Sequence, residues 1–486
     1  MKFKYIFLSL LFLGLTNCET DVENPNDVYP RPFVEVDSGD ADFSTYVAMG
    51  EGITAGMTDN SLFIAGQANS YPNIMAGVMS MAGGGEFTQP YVNDNVGGML
   101  VGGQQFWFPR LYFDGAGPAN VTGNITTEAT STVPGPYNNM AFPFVNGIHM
   151  VAPGYGSIAG LSQGLANPWF VRAASSEGTT VLGDAAGQMP TFVTLVPGND
   201  FAGYAGFGAS GLAGILDVSG SQGMLVGVGA TLQTLAAMVP NGVVTTLPDP
   251  TNTAQWNTVT YNSVPLDQAT ADQINSAFAA YNGGLLLAQS FGLLTAEEVA
   301  IRTLATRVAG NNPILIQDET LTDLSPFGIP LPLMRDANAN DKISLFAATV
   351  LGQPADPNNP LSIIGVTAPL EDQFTLMASE IVYIQSELNT ANTAIVASVP
   401  SGWALFDLAG LYNDIVTTGV MEDDFMMTGD LVFGGFFSLD GYHPTSRGSA
   451  LIAKKMMEAI DATWGSTLSI SNLDIGDYPT NYPNGL

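Results

Sequence analysis

Three short apolar runs fix the fold class of this chain. Residues 45–49 (TYVAM), 191–196 (TFVTLV) and 403–408 (WALFDL) are too short for core helices and read as buried strands. The first stops at Gly50 and the second at Pro197-Gly198-Asn199-Asp200. Between and after them lie stretches with helical periodicity. Residues 269–281 and 295–308 predict two helices, with Thr295 as a cap and Glu297 and Glu298 suited to the first turn of the second. Residues 371–396 carry Phe374, Met377, Ile381, Ile384 and Leu388 on one face. A last helix is predicted over 446–463, with Gly465 as its stop. Strands separated by helices make an α/β fold with a mainly parallel sheet.

The ends of the chain read differently. Residues 1–18 form a predicted signal peptide: Lys2 and Lys4 precede an apolar stretch too short to span a bilayer. Leu15-Thr16-Asn17-Cys18 resembles a bacterial lipobox, and Cys18 is the sole cysteine, so no internal disulfide can form. Lipid attachment at Cys18 is the expectation, giving a membrane anchor and a place in the cell envelope, at the outer membrane. Residues 19–40 are acidic and proline-containing and read as a flexible tether. Residues 80–136 are rich in Gly, Asn, Pro and aromatics without helical period, and read as an insertion; residues 466–486 read as an irregular tail. The net charge is −32, with only 12% charged residues, so it reflects scarce Lys and Arg. A surface of that sign repels phosphates and excludes nucleic acid as a partner class.

In open α/β sheets, ligand sites form at the carboxyl ends of strands. Gly50-Glu51-Gly52-Ile53-Thr54-Ala55-Gly56, Pro197-Gly198-Asn199-Asp200 and Asp440-Gly441-Tyr442-His443-Pro444 are the candidate segments. Taken in order, they are similar to the blocks of the SGNH (GDSL-type) hydrolase family, especially its Bacteroidetes-type lipoprotein members. The resemblance spans about Tyr46 to Gly465. It implies a three-layer, flavodoxin-like SGNH fold over residues 41–465 with long loop insertions. It also implies a catalytic His443 oriented by Asp440, an oxyanion-hole Asn199, and Asp200 beside it at the substrate. Gly50, Thr54, Ala55 and Gly56 match the first block, yet Gly52 occupies the position of the nucleophilic serine. The second block aligns with residues 139–144, where Ala141 and Phe144 replace glycines and the Phe144 ring is expected to crowd the substrate.

The intact chemistry would need a hydroxyl at position 52 for His443 to deprotonate. Asp440 would fix the imidazole tautomer, and each oxyanion donor would contribute roughly 3–4 kcal/mol. Gly52 supplies no hydroxyl, and loss of a nucleophile costs on the order of a million-fold in turnover. The expected function is therefore an envelope lipoprotein of the ester-hydrolase family with impaired catalysis. The alternative is a non-catalytic protein that binds a lipid, an ester or an acylated glycan. The reading invokes no cofactor and no metal. A water at Gly52, or the hydroxyl of Thr54, Ser61 or Ser70, is a minor alternative nucleophile. Glu51 reads as support for the turn and His149 as a structural histidine. The alternating oxygens of residues 336–341 read as a solvated turn, not a calcium loop. Phe106 to Phe108 read first as packing within the insertion, with an acyl-binding wall as the alternative.

Overall fold

The computed structural model describes residues 34–133, 135–209 and 221–486. Cys18, the expected signal peptide and most of the expected tether lie outside the described residues.

The centre is a five-stranded sheet. Its strands are β1 (Tyr46–Gly50), β2 (Asn139–Ala141), β3 (Phe192–Leu195), β4 (Asn241–Thr245) and β5 (Ala404–Phe406), in spatial order β2-β1-β3-β4-β5. Every pairing is parallel, with Ala48 opposite Asn139, Val47 opposite Val193, Thr194 opposite Val243 and Val244 opposite Leu405. This is one of the two common doubly wound orders, and its switch point falls between β1 and β3. All five residues of β1 are buried, as are all four of β3, which is why both read as unbroken apolar runs.

Helices cover the sheet and build a second cluster. Among them are α1 (Gly52–Ala55), α2 (Tyr71–Met81), α3 (Asp200–Gly206), α4 (Ser221–Ala236), α5 (Gln268–Ser290), α6 (Ala296–Arg302), α7 (Ala378–Ala397), α8 (Leu408–Thr417) and α9 (Ser446–Trp464). α2 packs on α9, and α4 packs on α7. Thr445 caps α9 by accepting from the Gly448 N–H at 2.9 Å, and Gly465 ends it at φ 69°. The buried side of α9 carries Ile452, Met456 and Ile460. Among the described residues, no helix is long and apolar enough to cross a membrane.

Several boundaries differ from the sequence expectation. The 269–281 helix extends to Ser290, and the 295–308 helix ends at Arg302. The long helix begins at Ala378, because Met377 is its N-cap and the preceding residues form a 3-10 turn and a short strand. The 80–136 segment contains two small hairpins, Met99–Val101 with Gln104–Trp107 and Leu111–Phe113 with Pro118–Asn120.

A second apolar cluster lies between β4 and β5 in sequence. Phe278, Tyr281 and Leu285 of α5 meet Leu315, Ile316 and Met334, among others. Arg335 is the polar clamp of this insertion. Its Nε is 2.6 Å from Asp318 Oδ2, and its Nη1 and Nη2 lie 2.6 and 2.9 Å from the two oxygens of Asp341. Asp341 therefore serves this clamp; the turn is exposed at 338–340, as expected, but is ion-paired at its ends, Asp341 to Arg335 and Asp336 to Arg307. The Asp318 and Asp341 carboxylates are both buried. Removing the guanidinium strands them, so Arg335→Ala is expected to cost about 3 kcal/mol in chemical denaturation. A loss below about 1 kcal/mol would show that the clamp carries little.

Candidate active site cleft

Asp440 to His443 sit in a tight loop closed by a bridge between Phe437 and Pro444 and by the Ser438 N–H donating to the His443 carbonyl at 2.8 Å. Gly441 makes the loop possible. Its φ is +78°, and a Cβ there would lie 2.4 Å from the Gln255 backbone nitrogen. Asp440 Oδ1 accepts from the Tyr442 and His443 N–H groups at 2.8 and 2.9 Å. Oδ2 accepts from the Asn60 N–H at 2.8 Å and pairs with His443 Nδ1 at 2.9 Å. Burial pushes the Asp440 pKa up, but His443 and these N–H donors outweigh it and hold the carboxyl below its usual range. Burial pulls the His443 pKa down, and the Asp440 charge and hydrogen bond, with Glu51 behind them, bring it above its usual value.

Asp59 and Asn60 form the support for Asp440. Both have positive φ, 51° and 64°. The Asp59 N–H donates to Ser438 Oγ at 3.0 Å, and the Asp59 carboxylate accepts from the Leu439 N–H at 3.1 Å. Burial raises Asp59 to about 7. The Asn60 carbonyl accepts from Trp107 Nε1 at 2.7 Å, which ties the 80–136 insertion to the dyad. Sequence reasoning missed this pair. Asp-Asn side by side, tolerant of left-handed backbone, is the signal that could have found it.

Gly52 is buried at the start of α1, against the same imidazole. A Cβ built on Gly52 would lie 2.5 Å from His443 Nε2, 3.1 Å from its Cδ2 and 3.3 Å from Met57 Cβ. The ring thus fills the volume where a side chain at position 52 would begin. That interval is narrower than a water molecule, which removes the reading of a water held between ring and Gly52. The three hydroxyl alternatives are engaged elsewhere. Thr54 Oγ1 pairs with Tyr71 OH at 3.2 Å, Ser61 Oγ accepts from the Gly98 N–H at 2.7 Å, and Ser70 Oγ donates to Gln89 at 3.1 Å. Glu51 Oε1 accepts from the Ile53 N–H at 3.1 Å and caps α1.

His443, Asp440 and Asn199 line one cleft of about 500 Å³, within the usual size of a small-molecule site. Asn199 precedes α3 at the end of β3. Its side chain makes no cap hydrogen bond, and its amide has no partner among the described residues. Phe144 also lines the cleft. Its φ is +64°, a conformation natural to the glycine it replaces in the alignment. The ring packs on Trp107 and Trp169, with centroids at 4.6 and 5.4 Å. Trp107 and Phe108 form cleft wall together with Phe346 and Phe374 from the second insertion. Trp107 and Phe108 of the aromatic run therefore supply a wall, while Phe106 packs on Trp169.

Asp200 needs correction. It is buried, its Oδ2 accepts from the Gly147 N–H at 2.7 Å, and burial raises it to about 7. It fastens the 146–151 segment and is not a cleft-lining residue. His149 stacks on Tyr155 with centroids at 4.4 Å, and burial lowers its pKa to about 4. Glu319, Asp372 and Glu380 bring carboxylate oxygens within 4.8 Å of one another in the second insertion, and none of the three lines the cleft.

Comparison with protein-family models, with curated proteins and with solved structures gave no match to this chain.

Proposed function

We propose that this chain is an envelope lipoprotein, anchored through Cys18, with an SGNH-hydrolase-like fold whose ester-hydrolysing site has lost its nucleophile and retains a cleft for an acyl ligand. The observation that carries this reading is the facing pair Gly52 and His443. An acid–base dyad is assembled and oriented, and its Nε2 lies 2.5 Å from the place of an absent Cβ. The strand order β2-β1-β3-β4-β5 supports the flavodoxin-like form of the fold. So do the positions of Gly52 and Asn199, one after β1 and the other after β3, on either side of the switch point. The aromatic wall and the free Asn199 amide support retained binding of an ester, a lipid or an acylated glycan.

The test is covalent labelling of the purified chain with a fluorophosphonate probe. No stoichiometric adduct is expected, because the Thr54, Ser61 and Ser70 hydroxyls are occupied and none lines the cleft. A stoichiometric adduct on any Ser or Thr that vanishes in His443→Ala overturns the proposal.

A further inference from the structure

The cleft presents an unusual set of hydrogen-bonding groups. Asp440 is ionised and accepts at both oxygens, so the proton of a neutral His443 sits on Nδ1. Nε2 then offers a lone pair, makes no hydrogen bond among the described residues, and belongs to a ring lining the cleft. Asn199 offers an amide without a partner, and the Phe144 N–H donates to no described residue. A matching head group must therefore supply one acidic O–H to Nε2 and one oxygen acceptor to the amide donors. An alcohol supplies a weakly acidic O–H and has a single oxygen to share between Nε2 and the amide donors. An ester has the carbonyl and lacks the O–H. A carboxylic acid has both.

Charge narrows the choice further. No Lys or Arg lines the cleft, and Asp440 is its sole carboxylate. A phosphate monoester, close to a dianion at pH 7, would keep a charge that one protonated imidazole does not neutralise. A carboxyl group enters with one proton shared with His443. Whether that proton rests on oxygen or on Nε2, one proton is bound and the hydrogen bond between the two atoms persists. The walls beyond the head are Trp107, Phe108, Phe346 and Phe374, so the rest of the ligand is apolar.

We infer that the cleft binds a free monocarboxylic acid with an apolar chain, its carboxyl seated between His443 Nε2 and the Asn199 amide. This rests on the acyl-binding reading above and narrows it from esters to acids.

Calorimetry of the full chain at pH 7 with dodecanoic acid, methyl dodecanoate and dodecan-1-ol tests it. The acid is expected to bind about tenfold or more tighter than either chain-matched analogue. His443→Ala and Asn199→Ala are each expected to lower the acid's affinity about tenfold; Asn199→Ala also weakens the ester, whose carbonyl uses the same amide, whereas His443→Ala weakens the acid more than the ester, which has no O–H for Nε2. Equal affinity for acid and ester overturns the carboxyl assignment and leaves the acyl-binding reading standing. Acid binding that ignores both substitutions overturns the placement of the head group. Failure of all three compounds to bind removes both readings. The comparison of ligands on the unaltered chain decides the matter even where a variant does not fold.

Discussion

Gly52→Ser is expected to turn this protein into a measurable esterase, with a rate on a p-nitrophenyl ester about 100-fold or more above that of the unaltered chain, out of the roughly million-fold that a nucleophile is worth. The backbone permits the substitution: Gly52 opens α1 and is absent from the positive-φ positions. The obstacle is the imidazole. A Cβ would come within 2.5 Å of Nε2, so the ring must retreat. It is the far end of a side chain held at Nδ1, and a tilt about the Asp440 contact opens the space. Overpacking of this kind costs roughly 1–3 kcal/mol, so the variant should gain activity and lose stability together. The gain should vanish in the double variant with His443→Ala. Full family activity is not expected, since Ala141 and Phe144 stand where the resemblance has glycines. A folded Gly52→Ser chain with no activity, and with no adduct from a fluorophosphonate, would mean that the Asn199 side of the cleft cannot hold an oxyanion.

The parts of this site that could be read from sequence are those built from neighbours along the chain. Asp440 and His443 lie three residues apart in one loop, and Asn199 follows a wholly buried strand, so motif and strand end coincide. Asp200 shows the limit of the same logic. Adjacent to Asn199, it looked like part of the site, but the first turn of α3 sends its carboxylate to Gly147. Asp59-Asn60 could have been read as a left-handed turn, but its contact with Asp440 could not, because it joins residues 380 positions apart. Nor could the roof, which brings Phe346 and Phe374 over a site whose motifs lie elsewhere in the chain.

Among the strands, β1, β3 and β5 announced themselves as apolar runs. β2 has three residues and begins with Asn139, and β4 begins with Asn-Gly, a turn signal. Both are strands through their partners: β2 pairs with β1, and β4 is paired on both sides. The second apolar cluster was hidden for a related reason. α5 has ordinary helical periodicity, and nothing local says that its buried face meets Leu315 and Met334 instead of the central sheet.

Asp440→Ala is expected to destabilise the fold by about 4–5 kcal/mol, the upper part of the range for breaking a buried ionic pair. The carboxylate gathers three backbone N–H groups, from Asn60, Tyr442 and His443, as well as the imidazole. Removing it leaves four groups, three buried and the Asn60 N–H half-buried, without their acceptor. The pH dependence follows from the two shifts. The Asp440 pKa is depressed in the fold, so its contribution is present above the ordinary carboxylate value of about 3.9 and is lost as pH falls through the lower folded value. The His443 pKa is raised, so the charged pair's contribution is complete below about 6.5 and is lost as pH rises through the higher folded value. The stability gap between the unaltered chain and Asp440→Ala should therefore be widest between about pH 4 and 6.5. It should narrow on either side, and chemical denaturation across that range measures it. A gap that stays near 1 kcal/mol at all pH values would show that neither the ion pair nor the three N–H bonds holds this loop, and that His443 is kept in place by packing alone.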